Sequence, residues 1–324
     1  MRKKSVCSLL AAIGFTAMAS SALAQPLRDY IEPRGWSLGM TVGGSDLWGD
    51  VGTKSVIDHY GNMNYGDYAN VMGGLYTRYT FQPSLALRMG INYGTVAAGD
   101  RMNSDKAKKA KDYKDDAVQR YARNLDVKTN IWEASFMFEI NPLRFSPGSR
   151  MALRRWQPYL LTGLNAFHFV AKGKYISKDG ENSSTGQYVN LYDLHIEGDG
   201  FNAPGMPKAY SQWQLAVPLG IGCKWDLSSA MAIGIEYVYR MTFTDYLDGV
   251  SMNYIDPALY DKFLTPQQAS AARAMRDKSW ELDPAQDHKA GEARGDLGKQ
   301  KDAYSTLSIT LFYKFKSRAI PWWE

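Results

Sequence analysis

From Met231 to Phe243 the odd positions are all large and apolar (Met231, Ile233, Ile235, Tyr237, Tyr239, Met241, Phe243), while Ala232, Gly234, Glu236, Val238, Arg240 and Thr242 lie between them. A period of two sends these sets to opposite faces of one extended strand. Trp213 to Trp225 repeats the pattern, with Leu215, Val217, Leu219, Ile221 and Cys223 between the two tryptophans on one face and Gln214, Ala216, Pro218, Gly220, Gly222 and Lys224 on the other. A strand that crosses a bilayer at a tilt needs roughly 9–11 residues and a lipid-facing side. Both stretches meet that requirement.

Six further stretches extend the series, giving candidate strands at 35–44, 71–81, 85–96, 125–141, 156–170, 210–225, 231–243 and 304–315. In the first, Trp36, Leu38, Met40 and Val42 share a face; in the last, Leu307, Ile309, Leu311, Tyr313 and Phe315 do so. The stretch at 156–170 is different, because both of its faces carry large apolar residues. The connections alternate in length. Short ones fall at Gln82-Pro83-Ser84 and Asp226–Ser229, a moderate one at 142–155, and long polar ones at 45–70, 97–124, 171–209 and 244–303. An even strand count with alternating short and long connections predicts an all-β fold, an eight-stranded antiparallel transmembrane β-barrel with short periplasmic turns and long extracellular loops. Both mature termini then face the periplasm of a Gram-negative cell. In the last loop, Thr265-Pro266 ahead of Gln267–Lys278 predicts a capped helix.

The start of the chain fits that compartment. Arg2, Lys3 and Lys4 precede an apolar run from Val6 to Ala19, and Ala22-Leu23-Ala24 reads as a cleavage site. Residues 1–24 are therefore read as a removed signal peptide and 25–324 as one barrel domain. Cleavage leaves Cys223 as the sole cysteine, which excludes an intrachain disulfide. It also takes three of the 38 Lys and Arg, leaving 35 against 33 acidic residues, so nothing in the charge points to nucleic acid. Mean hydropathy is −0.38, and no later run is apolar for the roughly 18 residues that a spanning helix requires.

The even-face positions bring the candidate chemistry. Arg78, Arg88, Lys224, Arg240 and Lys314 are predicted to face the lumen, with Glu133, Glu139 and Glu236 as their partners. A barrel of eight strands has an interior that side chains fill, so such charges need pairing. A packed plug is the expectation, with a narrow proton or ion path as the alternative. Phe81, Trp156, Trp225 and Phe315 fall where one interfacial girdle belongs, and Tyr93, Trp213 and Phe243 where the other does. The histidines (His59, His168, His195, His288) are scattered, and no serine and acid accompany them in local sequence, so no catalytic set and no cofactor is read. Asp245, Asp248 and Asp256 could chelate calcium at the rim, although turn chemistry explains them equally.

The run Thr242-Phe243-Thr244-Asp245-Tyr246-Leu247-Asp248-Gly249-Val250-Ser251, followed by Tyr254-Ile255-Asp256-Pro257, resembles a family of Bacteroidota outer-membrane barrels that includes PorG, the barrel subunit of the type IX secretion system. Further matching pieces are Trp36–Gly44 with Gly49-Asp50, Arg123-Asn124-Leu125, Pro158-Tyr159 through Phe167-His168-Phe169, Gln214–Gly222, Arg294-Gly295-Asp296 and Leu311–Phe315. The resemblance implies a non-enzymatic integral barrel set in outer-membrane lipid. Its implied partners are a periplasmic lipoprotein and ring of a protein-export machine. A lipid-modifying enzyme using His168 or a loop histidine, and an adhesin or ligand binder working through its loops, stand as alternatives.

Overall fold

The computed structural model describes residues 34–53, 59, 65–110, 112–113, 115–145, 155–177, 186–228 and 230–315. The signal segment 1–24 and the terminal Trp322-Trp323-Glu324 lie outside them. Eight long strands make the wall: β1 (Gly35–Trp48), β2 (Asn70–Gln82), β3 (Leu85–Gly99), β4 (Asp126–Ile140), β5 (Trp156–Lys174), β7 (Trp213–Asp226), β8 (Met231–Thr242) and β9 (Ala303–Lys314). A short β6 (Tyr188–Asn190) adds to the far end of β5. Every long strand is antiparallel to both neighbours. The ring closes because β1 pairs with β9 and β4 pairs with β5 as well as β3. Closure leaves no long strand edge exposed, which is what a hydrocarbon surround demands.

The pleat sorts the residues as the alternation predicts. Leu75, Ile91, Ile221 and Ile235 are each more than 60 % exposed on the outer wall, and Trp36, Met40, Phe136, Leu219 and Ile309 continue the belt. Water does not tolerate so broad an apolar band on a monomer, whereas lipid does. Phe81, Trp156, Trp225 and Phe315 lie at the short-turn end, with Tyr93, Trp213 and Phe243 towards the other. The chain is therefore a transmembrane barrel of the outer-membrane type. No helix among the described residues is long and apolar enough to cross a membrane.

Several strand limits differ from the predicted ones for a physical reason. β1 runs to Trp48 instead of Gly44, with Asp46, Leu47 and Trp48 still paired to Ser305, Tyr304 and Ala303. Here the wall has left the hydrocarbon and Leu47 is buried, so the lipid-facing signature stops while the ladder goes on. β5 likewise reaches Lys174. β7 begins at Trp213 instead of Tyr210, because Tyr210 turns aside to stack on Tyr246 with ring centroids 4.3 Å apart.

The doubly apolar stretch of β5 now has an explanation. Leu160 and Leu164 face outward, while Phe167 and Phe169 are fully buried inside. They belong to an apolar core with Leu47, Val51, Val96, Ile131, Leu247, Val250, Ile255, Tyr260 and Met275. That core fills the long-loop end of the barrel and continues into a folded cap made by the four long connections. Helix α1 (Asp116–Arg123) starts at Asp115, whose side chain accepts from the Ala117 amide. Helix α2 (Ala258–Phe263) precedes α3 (Pro266–Arg276), which opens with a capping box of Thr265 and Gln268. Ala269, Ala272 and Met275 form the buried stripe of α3.

Candidate functional site

Two polar assemblies stand out, one in the lumen and one in the cap. In the lumen, Arg78 (β2) makes a two-pronged bond to Glu139 (β4), with Nε and Nη2 each 2.9 Å from a carboxylate oxygen. Lys224 (β7) reaches the same carboxylate at 2.9 Å. Arg88 (β3) donates to Glu236 (β8) at 2.7 Å and lies 3.9 Å from Glu139. Nearer the cap, Arg240 (β8) pairs with Glu133 (β4) at 2.6 Å, and Asn92 and the Tyr304 hydroxyl bond to the same Glu133. All these charged groups are buried, and each comes from an inward position of its strand.

Lys314 departs from the predicted pattern. Its partner is Asp226, at 2.6 Å, which Arg144 also approaches at 3.2 Å. Asp226 reads as a turn residue in sequence, yet it ends β7 on the same face as Lys224, so continuing the alternation by one step would have found it. Arg144 sits in an irregular connection and gives no periodic signal. Two tyrosines that the charge pattern does not mark also face the lumen: the Tyr76 hydroxyl lies 2.5 Å from Thr310 and Tyr159 donates to Glu236 at 2.9 Å.

The loop pieces of the resemblance meet in the cap, while Trp36–Gly44, Pro158–Phe169, Gln214–Gly222 and Leu311–Phe315 lie in or along the strands of the wall. Asp245 accepts from the Ser251 hydroxyl at 2.6 Å, and Asp248 accepts from the Val51 and Val250 amides, both at 2.9 Å. Glu197 takes the Ser251 and Met252 amides and pairs with Arg294 at 3.0 Å. Thr244 accepts from the Asp302 amide, and Tyr246 stacks on Tyr210. Asp50 accepts from the Asp296 amide at 2.7 Å, and a side chain at Gly295 would collide with that carboxylate. Arg123 fixes α1 through Asp100 at 2.8 Å and the carbonyls of Asp50 and Arg294.

Asp50, Asp245 and Asp296 bring one carboxylate oxygen each within 4.8 Å of one another. The calcium candidates of the sequence are thus redistributed. Asp245 joins Asp50 and Asp296, Asp248 spends both oxygens on backbone amides, and Asp256 accepts from the Ala258 amide at the start of α2. Burial pushes Asp50 up, Asp245 up to about 6 and Asp248 up to about 7, the last helped by the charge of Asp50. Asp302 is also raised, by burial and by the charges of Asp248 and Asp245.

The histidines sit apart. His59 stacks on Trp48, His168 packs on Trp213, and His195 lies 3.3 Å from Asp199. His288 bonds to Asp277, whose other oxygen takes the Ser279 hydroxyl. That order places the acid between serine and histidine, unlike a serine–histidine–acid triad, in which the histidine lies between the other two.

No family model matches the chain, and no curated protein does. Among solved structures it is similar to Neisserial surface protein A, at 9 % identity over 87 % of this chain and 97 % of that one, with a TM-score of 0.36. It is also similar to a major outer membrane protein from Thermus thermophilus, at 11 % identity over 86 % and 99 %, with a TM-score of 0.37. A further match is Ail, the attachment invasion locus protein of Yersinia pestis, at 12 % identity over 87 % and 100 %, with a TM-score of 0.36.

Proposed function

We propose that this chain is a non-enzymatic outer-membrane barrel that serves as a structural and interaction component, of the kind its resemblance to the PorG-containing family implies. The carrying observation is the filled interior. Buried ion pairs occupy the lumen from Asp226 to Glu133, and Phe167 and Phe169 seal it below the cap. A pore that size conducts no solute, so the work falls to the two ends and the lipid belt.

In this reading the short-turn end, where β1 begins and β9 finishes, faces the periplasm, as short turns do in such barrels. It offers a docking surface for a periplasmic lipoprotein and ring of a type IX export machine. Crosslinking in whole cells followed by pull-down tests the partner, and deletion of the gene scored for cargo secretion tests the role. Recovery of no envelope protein, together with normal secretion, would remove the reading.

A further inference from the structure

We propose that the outer wall across β3, β4 and β5 is a docking site for a phosphorylated, multiply acylated lipid of the outer leaflet, held by Lys128 and Lys172. The inference rests on the orientation given above, with the long connections outside, and is independent of the periplasmic partner.

The first argument is a pair of like charges. Lys128 on β4 and Lys172 on β5 are in-register partners on the outward face, four residues beyond Trp132 and His168 respectively. Lys174 follows on the same face, and the Lys128 Nζ lies 5.9 Å from the ring centre of Tyr188, the partner of Lys174 on β6. The acids beside them are committed elsewhere. Asp126 takes Lys278 on one oxygen and the Lys174 amide on the other, and Asp193 takes the side-chain amide of Asn190, the β6 partner of Lys172, at 2.8 Å. Like charges directly opposite on a sheet, about 5 Å apart at Cβ, repel each other. An anion seated between them turns that repulsion into attraction.

The second argument is depth. Tyr93 and Trp132 lie 4.5 Å apart, His168 and Trp213 5.1 Å, and Trp132 is in register with His168, so the four rings form one row across the wall. Such a row marks the boundary between hydrocarbon and headgroups. Four residues of strand carry the lysine pair about 13 Å further along β4. That is headgroup level, which flexible lysine stems sample freely, and where each basic side chain attracts anionic lipid.

The third argument lies below the rings. A groove of about 740 Å³ runs beneath the Tyr93–Trp132 pair, between Leu75, Ile91 and Phe136, where Gly73 and Ala134 supply little bulk. Free phosphate would use the lysines and leave the groove empty. A lipid with a phosphorylated head spans both, because Lys128, Trp132, Ala134 and Phe136 stand in line on one face of β4.

The test is native mass spectrometry of the full mature chain, released from detergent with diphosphoryl lipid A or phosphatidylethanolamine added. The protein should retain lipid A at concentrations where phosphatidylethanolamine is lost. Lys128→Gln and Lys172→Gln should each weaken retention about fivefold, and the two together about 25-fold. Lys108→Gln with Lys109→Gln, on the exposed cap surface, should leave it unchanged. Ala134→Leu, which fills the groove, should weaken it as well. In lipid-free detergent the Lys128→Gln, Lys172→Gln protein should melt no lower than the wild type, because a repulsion has been removed. Equal retention of both lipids, equal loss in the two double variants, a lower melting point, or full competition by millimolar inorganic phosphate would each overturn the site. Orientation is read separately, by labelling Lys174→Cys in a Cys223→Ser background with an impermeant maleimide on intact cells. An unlabelled cysteine would overturn the orientation and the outer-leaflet lipid with it, whereas a labelled cysteine without lipid retention overturns this site alone.

Discussion

The ring of Tyr159 lies across Gly222, its in-register partner on the adjacent strand. A Cβ on Gly222 would sit 2.3 Å from the ring. The missing side chain lets the ring lie flat along the wall, which directs its hydroxyl to Glu236. Tyr76 and Gly39 repeat the relationship on β2 and β1, with the hydroxyl 2.5 Å from Thr310. Gly222→Val is therefore expected to displace the ring and break the bond to Glu236, at a cost of about 1–3 kcal/mol or more. The melting point of the folded, fast-migrating band on unheated gels would read it. An unchanged melting point would mean that the ring has another place to go.

Glu139 is the hub of the lumen, with Arg78, Lys224 and Arg88 converging on it. Glu139→Ala removes the carboxylate that Arg78 and Lys224 share, while Arg88 keeps Glu236, and should cost about 3–5 kcal/mol. Glu139→Gln keeps the shape and one acceptor, and should fall between the two in denaturant titration. A hub that matters little would give the same midpoint in all three proteins.

Planar-bilayer recording of the wild-type barrel should give no steady single-channel conductance, because the paired charges and the Phe167–Tyr304 contact, 5.6 Å between ring centroids, close the lumen. Steady openings would revive the ion-path alternative.

The acidic group of the cap predicts a pH dependence. Asp245 at about 6 and Asp248 at about 7 titrate above their unfolded value of 3.8, chiefly because they are buried. The folded cap therefore binds more protons than the unfolded one, and its stability should fall as pH rises from about 4 to 8. His195, whose hydrogen bond to Asp199 raises it, adds to the same trend above its unfolded value. Limited proteolysis of the loops at pH 5 and pH 8 would measure it, with faster cutting expected at pH 8. Asp245→Asn retains the acceptor for Ser251 and should reduce the difference. Equal cutting rates in the wild type would contradict the argument.

Alternation alone determined a good deal of this protein. A period of two is a local property, so the eight strands, the lipid belt and the inward set of Arg78, Arg88, Lys224, Arg240, Glu133, Glu139 and Glu236 were legible along the chain. Which cation meets which acid was not, because register across strands is set by the closed ring. Lys314 thus finds Asp226, a residue that local sequence assigns to a turn. The cap was hidden for the same reason. Its loops carry no period, and Gly49-Asp50, Arg123, Asp245 and Arg294 become neighbours only when four separate connections fold over the barrel mouth. Burial then gives Asp248 and Tyr254 properties that neither shows in isolation, since desolvation depends on what the rest of the chain places around them.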